Sequence, residues 1–336
     1  MDGFEEVLEH FPLDVYSPRR VEVGGLGAGS RLYRVEGTPL LDSEARVFLI
    51  DTPQGREIAC HPHIVSHGLS TLCLGAAQEF RVAFEGLGLE ASEAMVVQIL
   101  RGGPGYMVDK VFPEVPLARV RALYTSDGYR SHSDDPRKVS VPYSLIPPGE
   151  AETLILPDTY ATGRSAEAAL THLHQKGLEP SRVVIYGFMS APAVERLQNL
   201  LETWGSELWA FAICDLSPLC SNHYDMPLYG LDEPLWRERG MLKPLGSVVA
   251  PETLRGVLPH YVPGLDQPGD WSERHDTLDN GYGWEAGDIR GHLERSLRLI
   301  QELDRLNSGQ PWYTQTHQTA AKAEIARIQK TLQGLH

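Results

Sequence analysis

The sequence is poor in cysteine, and its cysteines are not paired along the chain. Cys60, Cys73, Cys214 and Cys220 include no CxxC pair and stand mostly among apolar residues. Such isolated cysteines usually behave as small hydrophobic side chains. We therefore expect four buried free thiols.

Long hydrophobic runs are also missing. No apolar stretch approaches the length needed to cross a bilayer. The start, Met1 to Glu6, is acidic and lacks the pattern of a signal peptide. These two features lead us to expect a soluble, cytoplasmic protein.

Positive charge is scarce as well. The 336 residues include 30 Lys and Arg against 45 Asp and Glu, which gives a formal net charge of -15. This balance argues against nucleic acid or an anionic membrane as the main partner. Any phosphate site must then be built locally, from a few arginines and backbone amides. The 42% hydrophobic content supports a substantial core in one large domain or two.

One stretch has the pattern of a strand, a small-residue turn and a helix. Leu154 to Leu156 is a short apolar run typical of a buried parallel strand. A turn with an acid, hydroxyls and a glycine follows at 157–165, and strong helix formers begin at Ala166. This order points backbone N–H groups and a helix N-terminus at an anion. Asp158 adds an acceptor for sugar hydroxyls or a ligand for magnesium.

A second strand also ends in a glycine-rich turn. Residues 94–100 read as a buried strand and lead directly into Arg101-Gly102-Gly103-Pro104-Gly105. Further strands at 181–188 and 208–215 alternate with helical segments, which predicts an α/β fold with a parallel sheet. Ligands gather at the carboxyl ends of such strands, where Arg101, Asp158 and Asp215 would fall.

The turn at 158–165 resembles the phosphoribosyl-pyrophosphate (PRPP) loop of type I phosphoribosyltransferases. That family usually has two adjacent acids, or Asp-Pro in its uracil branch, where this sequence has Pro157-Asp158. The resemblance implies that Asp158 holds the ribose hydroxyls and that 161–165 wrap the 5-phosphate. The implied PRPP-binding residues of this loop are Asp158, Thr159, Tyr160, Ala161, Thr162, Gly163, Arg164 and Ser165.

Residues 99–105 resemble the pyrophosphate loop of the uracil branch, Ile-Leu-Arg-Ala-Gly-x-Gly. The resemblance gives Arg101 a catalytic role with Asp158, and it lets the amides of Gly102 and Gly103 contact the leaving pyrophosphate. In the family, a flap after this region carries basic residues onto the pyrophosphate. Residues 124–148 read as that long loop, with Arg130, Arg137 and Lys138 as candidates. Thr125 stands where the family has an arginine.

Residues 260–270 resemble the base-binding hood of the uracil branch, with one residue missing after the tyrosine and with Asp266 and Gln267 altered. The implied base-binding residues are Tyr261, Val262, Pro263, Gly264, Leu265 and Asp270. A weaker echo of the hood lies at 224–232. Asp158 and Asp270 are the implied magnesium contacts, through PRPP.

The resemblance also suggests the division of the chain. We expect a β-rich N-terminal extension at 1–58, a phosphoribosyltransferase-like domain at 59–271 with an insertion near 216–258, and a helical C-terminal extension at 272–336. The extension's helices could pack on the core or form a dimer contact, and we expect a homodimer. His61, His63 and His67 form a cluster that could suggest a metal, but Pro62 stands between the first two, so we expect surface or capping histidines there.

Together these features predict an enzyme that transfers the 5-phosphoribosyl group of PRPP to a nucleobase and releases pyrophosphate, with Mg²⁺ as cofactor. The acceptor would be uracil or a related heterocycle. Two alternatives stay open. One is a PRPP- or nucleotide-binding regulator on the same fold, which the altered acid pair favours. The other is an unrelated doubly wound domain, in which the three loops would not converge.

Overall fold

A computed structural model describes residues 3–42, 45–124 and 138–335 of the chain. Its centre is a nine-stranded sheet with the order β1-β2-β3-β9-β8-β7-β4-β5-β6. The strands are β1 Pro18–Val21, β2 Arg31–Val35, β3 Arg46–Asp51, β4 Ala94–Leu100, β5 Leu117–Tyr124, β6 Val139–Leu145, β7 Thr153–Pro157, β8 Arg182–Gly187 and β9 Glu207–Ile213.

The six strands from β3 to β5 in this order are parallel, and antiparallel strands close both sides of the sheet. Each parallel pair needs a crossover, which the α-helices provide on both faces. The ten helices of the described residues are α1 Phe4–His10, α2 Pro53–Cys60, α3 Ser66–Gly86, α4 Val108–Val111, α5 Arg164–Gln175, α6 Ala191–Glu202, α7 Glu233–Arg239, α8 Pro251–Val257, α9 Ile289–Asn307 and α10 Gln315–Gly334.

Burial on both faces explains why the central strands are almost wholly apolar. In β7, Leu154 and Leu156 face the core under α5 and α6, whereas Ile155 faces the core that includes Phe80 and Phe84 of α3. Successive side chains alternate between the faces of a strand, so a strand buried on both faces must be apolar throughout. The predicted α/β class with a parallel sheet flanked by helices is therefore confirmed.

Strand β6 corrects the expectation of a continuous loop at 124–148. Val139, Val141 and Tyr143 are partly buried and alternate with exposed residues, and the strand pairs antiparallel with β5. Only one face of this edge strand is covered, so its apolar residues are spaced by two and interrupted by polar ones. Pro142 also obscured the pattern, although proline is tolerated on edge strands.

A third apolar cluster joins both ends of the chain. It brings α1, α8, α9 and α10 together around residues such as Phe11, Tyr229, Tyr261 and Trp312. Three small two-stranded sheets complete the structure, formed by β10 Asp215–Leu216, β11 Tyr229–Leu231, β12 Pro244–Gly246, β13 Val248–Val249, β14 Thr277–Asp279 and β15 Trp284–Ala286. The helical C-terminal region is thus present as expected.

Two further observations bear on the expectations from composition. The four cysteines are buried free thiols, as their apolar neighbours predicted. None of the helices in the described ranges combines the length and the hydrophobicity that crossing a bilayer requires.

Candidate active site

A cavity of about 620 Å³ lies at the carboxyl ends of β4 and β7. This volume is within the range of pockets that hold small-molecule ligands. The edge is also where open parallel sheets bind their ligands. The polar and glycine residues that line the cavity include Arg101, Gly102, Asp158, Thr159, Thr162, Gly163, Arg164, Ser165, His223, Tyr224, Asp270, Ser272, Glu273 and Arg295.

Asp158 comes directly after β7 and is only 8% exposed, although it lines the cavity. Burial raises the pKa of its carboxyl group to about 7, against a lowering contribution from the Thr159 backbone N–H. The backbone N–H of Asp158 donates to the carbonyl oxygen of Tyr186 in β8, which fixes the start of the loop. None of the described cationic side chains contributes to this pKa, so the carboxyl group can accept hydrogen bonds from a ligand without first leaving a salt bridge to one of them.

Gly187 allows the loop to lie this close to β8. Its φ is +147°, and a Cβ atom here would lie 2.0 Å from the carbonyl oxygen of Asp158. No side chain fits that space. The rest of the loop is held from α6 and its N-cap, since Arg196 Nε donates to the Thr162 carbonyl at 2.8 Å and Ser190 Oγ donates to the Ala161 carbonyl at 2.5 Å.

The loop ends at the N-terminus of α5. Gly163 is the N-cap with φ +74°, and Arg164, Ser165 and Ala166 at the start of the helix also line the cavity. The first backbone N–H groups of a helix have no partner within it, and the helix dipole places partial positive charge there. This combination suits a phosphate group.

Arg101 follows β4 and lies between two carboxylates. Its guanidinium pairs with Glu273 and, at 3.2 Å, with Glu285 on β15. The side chain of Arg101 is 16% exposed, and those of Glu273 and Glu285 are 26% and 44% exposed. Glu273 also accepts the backbone N–H of Asp288 at 2.6 Å, at the N-cap of α9. The C-terminal region therefore contacts the arginine of the first loop.

The two glycines of that loop are placed differently. Gly102 lines the cavity, and a Cβ atom there would lie 3.0 Å from Asp158 Oδ1. Gly103 is buried outside the lining, where a Cβ atom would lie 2.8 Å from the carbonyl oxygen of Pro157. Gly103 thus lets the two loops pack together, while Gly102 lies beside the ligand space.

Two aromatic rings connect the loops to the residues after the expected hood. Trp271 stacks on Tyr106 with 4.3 Å between ring centroids, and its indole N–H donates to the Gly102 carbonyl at 3.0 Å. The hydroxyl of Tyr106 forms a 2.6 Å hydrogen bond with that of Thr159. This stacked pair makes a rigid wall between the two loops and the segment at 268–273.

The residues expected to form the base-binding hood separate into two groups. Asp270 lines the cavity, whereas Tyr261, Val262, Pro263, Gly264 and Leu265 are buried away from its lining. The N–H of Gly264 donates to the Tyr229 carbonyl, and that of Leu265 donates to the Val262 carbonyl. Tyr261 donates its hydroxyl to the Leu265 carbonyl at 2.6 Å. These hydrogen bonds hold the segment together and tie it to Tyr229.

The weaker echo of the hood lies against the stronger one. Pro227 pairs with Asp266, and a Cβ atom on Gly230 would lie 2.0 Å from the Gly264 backbone nitrogen. At its start, Tyr224 lines the cavity together with the preceding His223. The two segments that resemble the base-binding hood, 224–232 and 260–270, therefore pack against each other in the fold.

Two other acidic residues near the carboxyl ends of the strands, Asp270 and Asp215, accept hydrogen bonds from neighbouring side chains. Arg295 of α9 donates to Asp270 Oδ2 at 2.7 Å, and both residues line the cavity. Asp215 is buried outside the lining, where Gln267 Nε2 and Ser217 Oγ donate to its carboxylate. Burial raises the pKa of Asp215 to about 7, against hydrogen bonds that lower it. Asp215 therefore belongs to a buried polar cluster beside the cavity.

Some candidates cannot be placed. Thr125, Arg130 and Arg137 lie outside the described residues. Lys138, which is exposed, directly precedes β6.

The uracil phosphoribosyltransferase family matches residues 77–216, which include the loops at Arg101 and Asp158. This part of the chain is similar to that family. The chain has no significant match among curated proteins.

The solved structures that are similar to this chain have low sequence identity to it. The AQ2163 protein from Aquifex aeolicus is 13% identical over 53% of this chain and 91% of its own, with a TM-score of 0.40. Orotate phosphoribosyltransferase from Aeropyrum pernix is 21% identical over 42% and 76%, with a TM-score of 0.28. Adenine phosphoribosyl transferase from Trypanosoma brucei is 13% identical over 54% and 85%, with a TM-score of 0.35. None of these similarities bears on the substrate of this chain.

Several residues of the candidate site were missed in the sequence. Tyr106 and Trp271 stand within five residues of motifs that were recognised, so their position along the chain could have drawn attention to them. Glu273, Glu285 and Arg295 lie beyond the matched segment, and no local pattern marks them. Their approach to the cavity depends on how the C-terminal region folds back.

Proposed function

We propose that this protein transfers the 5-phosphoribosyl group of PRPP to a nucleobase, uracil or a related heterocycle, and releases pyrophosphate. The observation that carries the proposal is the convergence of Arg101, Gly102 and the loop at 158–165 on one cavity. A single phosphate loop would suit many ligands. Two loops that face each other at adjacent strand ends suit a ligand with phosphate groups at both ends of a ribose.

Each part of PRPP has a matching group in this proposal. The 5-phosphate lies at the N-terminus of α5, where the backbone N–H groups after Gly163 donate to it. The ribose hydroxyls donate to the carboxylate of Asp158. The pyrophosphate lies against Arg101, whose planar fork donates two parallel hydrogen bonds to phosphate oxygens.

Magnesium fits the donor set of the cavity. Asp158, Asp270 and Glu273 all line it, and carboxylate oxygens are the ligands that Mg²⁺ takes together with substrate phosphates. Asp158 and Asp270 would hold the ion through PRPP. When bound, magnesium supplies positive charge that stabilises the departing pyrophosphate.

In the reaction, the bond between the ribose C1 and the pyrophosphate oxygen breaks, and a bond from C1 to a ring nitrogen of the base forms. The proton of that nitrogen leaves to the pyrophosphate or to water. Positive charge develops at C1 while negative charge collects on the leaving group. Catalysis then rests on positioning and electrostatic stabilisation. Arg101 stabilises the leaving group, and Asp158 keeps the ribose in place.

For the acceptor, we propose that Tyr224 and the segment from Asp270 to Glu273 contact the base. They line the cavity, whereas Tyr261, Val262 and Leu265 are buried in the apolar cluster that joins both ends of the chain. The stacked rings of Tyr106 and Trp271 restrict the shape of this side of the cavity. We propose a homodimer and the domain boundaries given above on the strength of the sequence resemblance alone.

The test is release of pyrophosphate from PRPP and Mg²⁺ with a panel of pyrimidine, purine and other heterocyclic bases. Asp158→Asn and Arg101→Gln serve as controls, and the exposed Glu179→Gln serves as a matched charge change at the opposite edge of the sheet. We expect release with at least one base, reduced at least tenfold in both site variants. Release with uracil alone would identify the acceptor.

If PRPP binds with Mg²⁺ but no base causes release of pyrophosphate, the assay contradicts the proposed transfer reaction. One observation favours that second candidate, a PRPP-binding regulator: Arg101 is already paired with Glu273 and Glu285. A protein that binds neither PRPP nor pyrophosphate would contradict both candidates.

A further inference from the structure

His61 and His63 stand on either side of Pro62 in the turn between α2 and α3, and the fold brings a carboxylate to both. Glu324 of α10 is fully buried, with Oε2 lying 2.7 Å from His61 Nδ1 and Oε1 lying 2.6 Å from His63 Nδ1. This corrects the expectation that these two are surface or capping histidines, because their acidic partner is more than 260 residues away in sequence. His67 is exposed, as expected.

We propose that His61, His63 and Glu324 form a binding site for a divalent transition metal ion, with Zn²⁺ as the best match. One nitrogen from each histidine and a carboxylate oxygen of Glu324 lie within 4.8 Å of one another. Two imidazoles and one carboxylate are an established ligand set for Zn²⁺, one that leaves a fourth position for water. Nitrogen ligands disfavour Mg²⁺ and Ca²⁺, which prefer oxygen.

Buried side chains hold the turn that carries the two histidines. Arg274 is fully buried and donates to the carbonyl oxygens of His61, at 3.0 Å, and Ile64, at 3.1 Å. His292, also fully buried, forms a 2.9 Å hydrogen bond with the Pro62 carbonyl. Backbone held in this way orients the two imidazoles before any ion arrives, and such outer contacts are typical of metal sites.

A small cavity of about 160 Å³ lies beside His61 and is also lined by Glu57 and His260. The carboxylate of Glu57 lies 3.8 Å from His61 Nε2, on the ring nitrogen that does not face Glu324. A water molecule would occupy the fourth position of the ion.

The ligand atoms must shift for an ion to bind. The two histidine nitrogens now lie at hydrogen-bond distances from different oxygens of Glu324. Bonds of about 2.0–2.2 Å to one ion place tetrahedral ligand atoms about 3.3 Å apart, so each nitrogen would move roughly half an ångström away from its present oxygen. Any wider pair among the three ligand atoms, which now lie within 4.8 Å of one another, would close. Metal binding displaces the protons on the two nitrogens, which is the usual exchange at such sites.

One nearby group, the positively charged guanidinium of Arg327, disfavours the binding of a metal cation. Arg327 Nη1 lies 3.3 Å from Glu324 Oε2 and 3.4 Å from His61 Nδ1. Its side chain is 42% exposed, so it can turn into solvent when an ion binds. This contact gives the proposal its sharpest test, because removal of the guanidinium should strengthen metal binding and weaken a purely hydrogen-bonded cluster.

The experiment uses the full chain without an affinity tag, dialysed against a chelator and titrated with Zn²⁺ by calorimetry in the presence of Mg²⁺. Co²⁺ in place of Zn²⁺ reports ligand type through its visible absorption. We expect one ion per chain and a raised midpoint of thermal unfolding. His63→Ala, at a partly exposed position, should weaken binding at least tenfold, and Glu324→Gln should do the same if it folds.

Arg327→Gln should strengthen Zn²⁺ binding about threefold or more, while the exposed Arg298→Gln should leave it unchanged. Circular dichroism of each variant checks that the fold is retained. No stoichiometric binding, or equal affinity in the wild type and His63→Ala, would overturn the proposal. Weaker binding in Arg327→Gln would do so as well, because it would mean that the arginine supports the cluster and does not compete with the ion.

Discussion

The pairing of Arg101 with Glu273 and Glu285 predicts that the two carboxylates compete with pyrophosphate for the guanidinium. Glu285 is the better position to change, since Glu273 also holds the N-cap of α9 through Asp288. A hydrogen bond from Asn280 and, to a smaller extent, the charge of Arg101 lower the pKa of Glu285 against a small effect of burial. Glu285 is therefore ionised at neutral pH, and Glu285→Gln removes a real charge.

The size of the expected gain in affinity follows from how exposed the Arg101–Glu285 ion pair is to water. The side chain of Glu285 is 44% exposed and lies 3.2 Å from Arg101, so the pair contributes about 0.2–1 kcal/mol. Loss of that competition should tighten pyrophosphate binding by a factor of about 1.4–5 at low salt. The gain should shrink as salt is raised, because both partners are partly exposed to water.

Calorimetric titration with magnesium pyrophosphate measures the effect. Glu179→Gln, an equal change of charge at an exposed position on the opposite edge of the sheet, should leave the affinity unchanged. In an Arg101→Gln background, Glu285→Gln should no longer have an effect. A lower affinity in the single variant would refute the reasoning, because it would show that Glu285 orients Arg101 for the ligand.

Three further predictions concern the scaffold of the site. Gly187→Ala should abolish PRPP binding and lower the free energy of unfolding by at least about 2 kcal/mol, because its Cβ would lie 2.0 Å from the Asp158 carbonyl oxygen. Gly177→Ala also has positive φ but meets open space, so denaturant titration should show a loss of only about 1 kcal/mol. Asp158→Asn should be more stable than the wild type, by a margin that grows by about 1–2 kcal/mol between pH 5.5 and pH 8 while PRPP binding is lost. Arg274→Met should lower the free energy of unfolding by about 3–5 kcal/mol, since it strips hydrogen bonds from several buried carbonyls, whereas the exposed Arg298→Met should stay within about 0.5 kcal/mol.

The sign of the Asp158 prediction follows from proton binding. Its pKa rises from 3.8 to about 7 on folding, so the folded state binds more protons than the unfolded state between these values. The stability of the wild type therefore falls as pH increases through this window, and that of the asparagine variant does not. A constant difference between pH 5.5 and pH 8 would contradict this account. Equal losses in the two glycine variants would contradict the steric argument at Gly187.

Local pattern was enough to predict the central parallel sheet and the turns that follow β4 and β7. Strands buried on both faces, such as β4 and β7, are apolar throughout, and the glycine-rich turns at Arg101 and Asp158 follow them directly. The parallel arrangement brings consecutive strand ends to one edge, so the order of motifs along the chain already predicts that they meet. Edge strand β6 was missed because only one of its faces is covered.

Contacts between distant segments were decided only by the tertiary structure. The side chains of Glu273 and Arg295 reach the cavity, and that of Glu285 reaches Arg101, because the C-terminal region folds back toward them. Glu324 reaches His61 because α10 packs beside the turn. When a carboxylate is more than 100 residues from its partner in sequence, the two residues form no short motif that could be recognised. The sequence determined which backbone could hold phosphates, and the packing of its last 70 or so residues decided which charges surround that backbone.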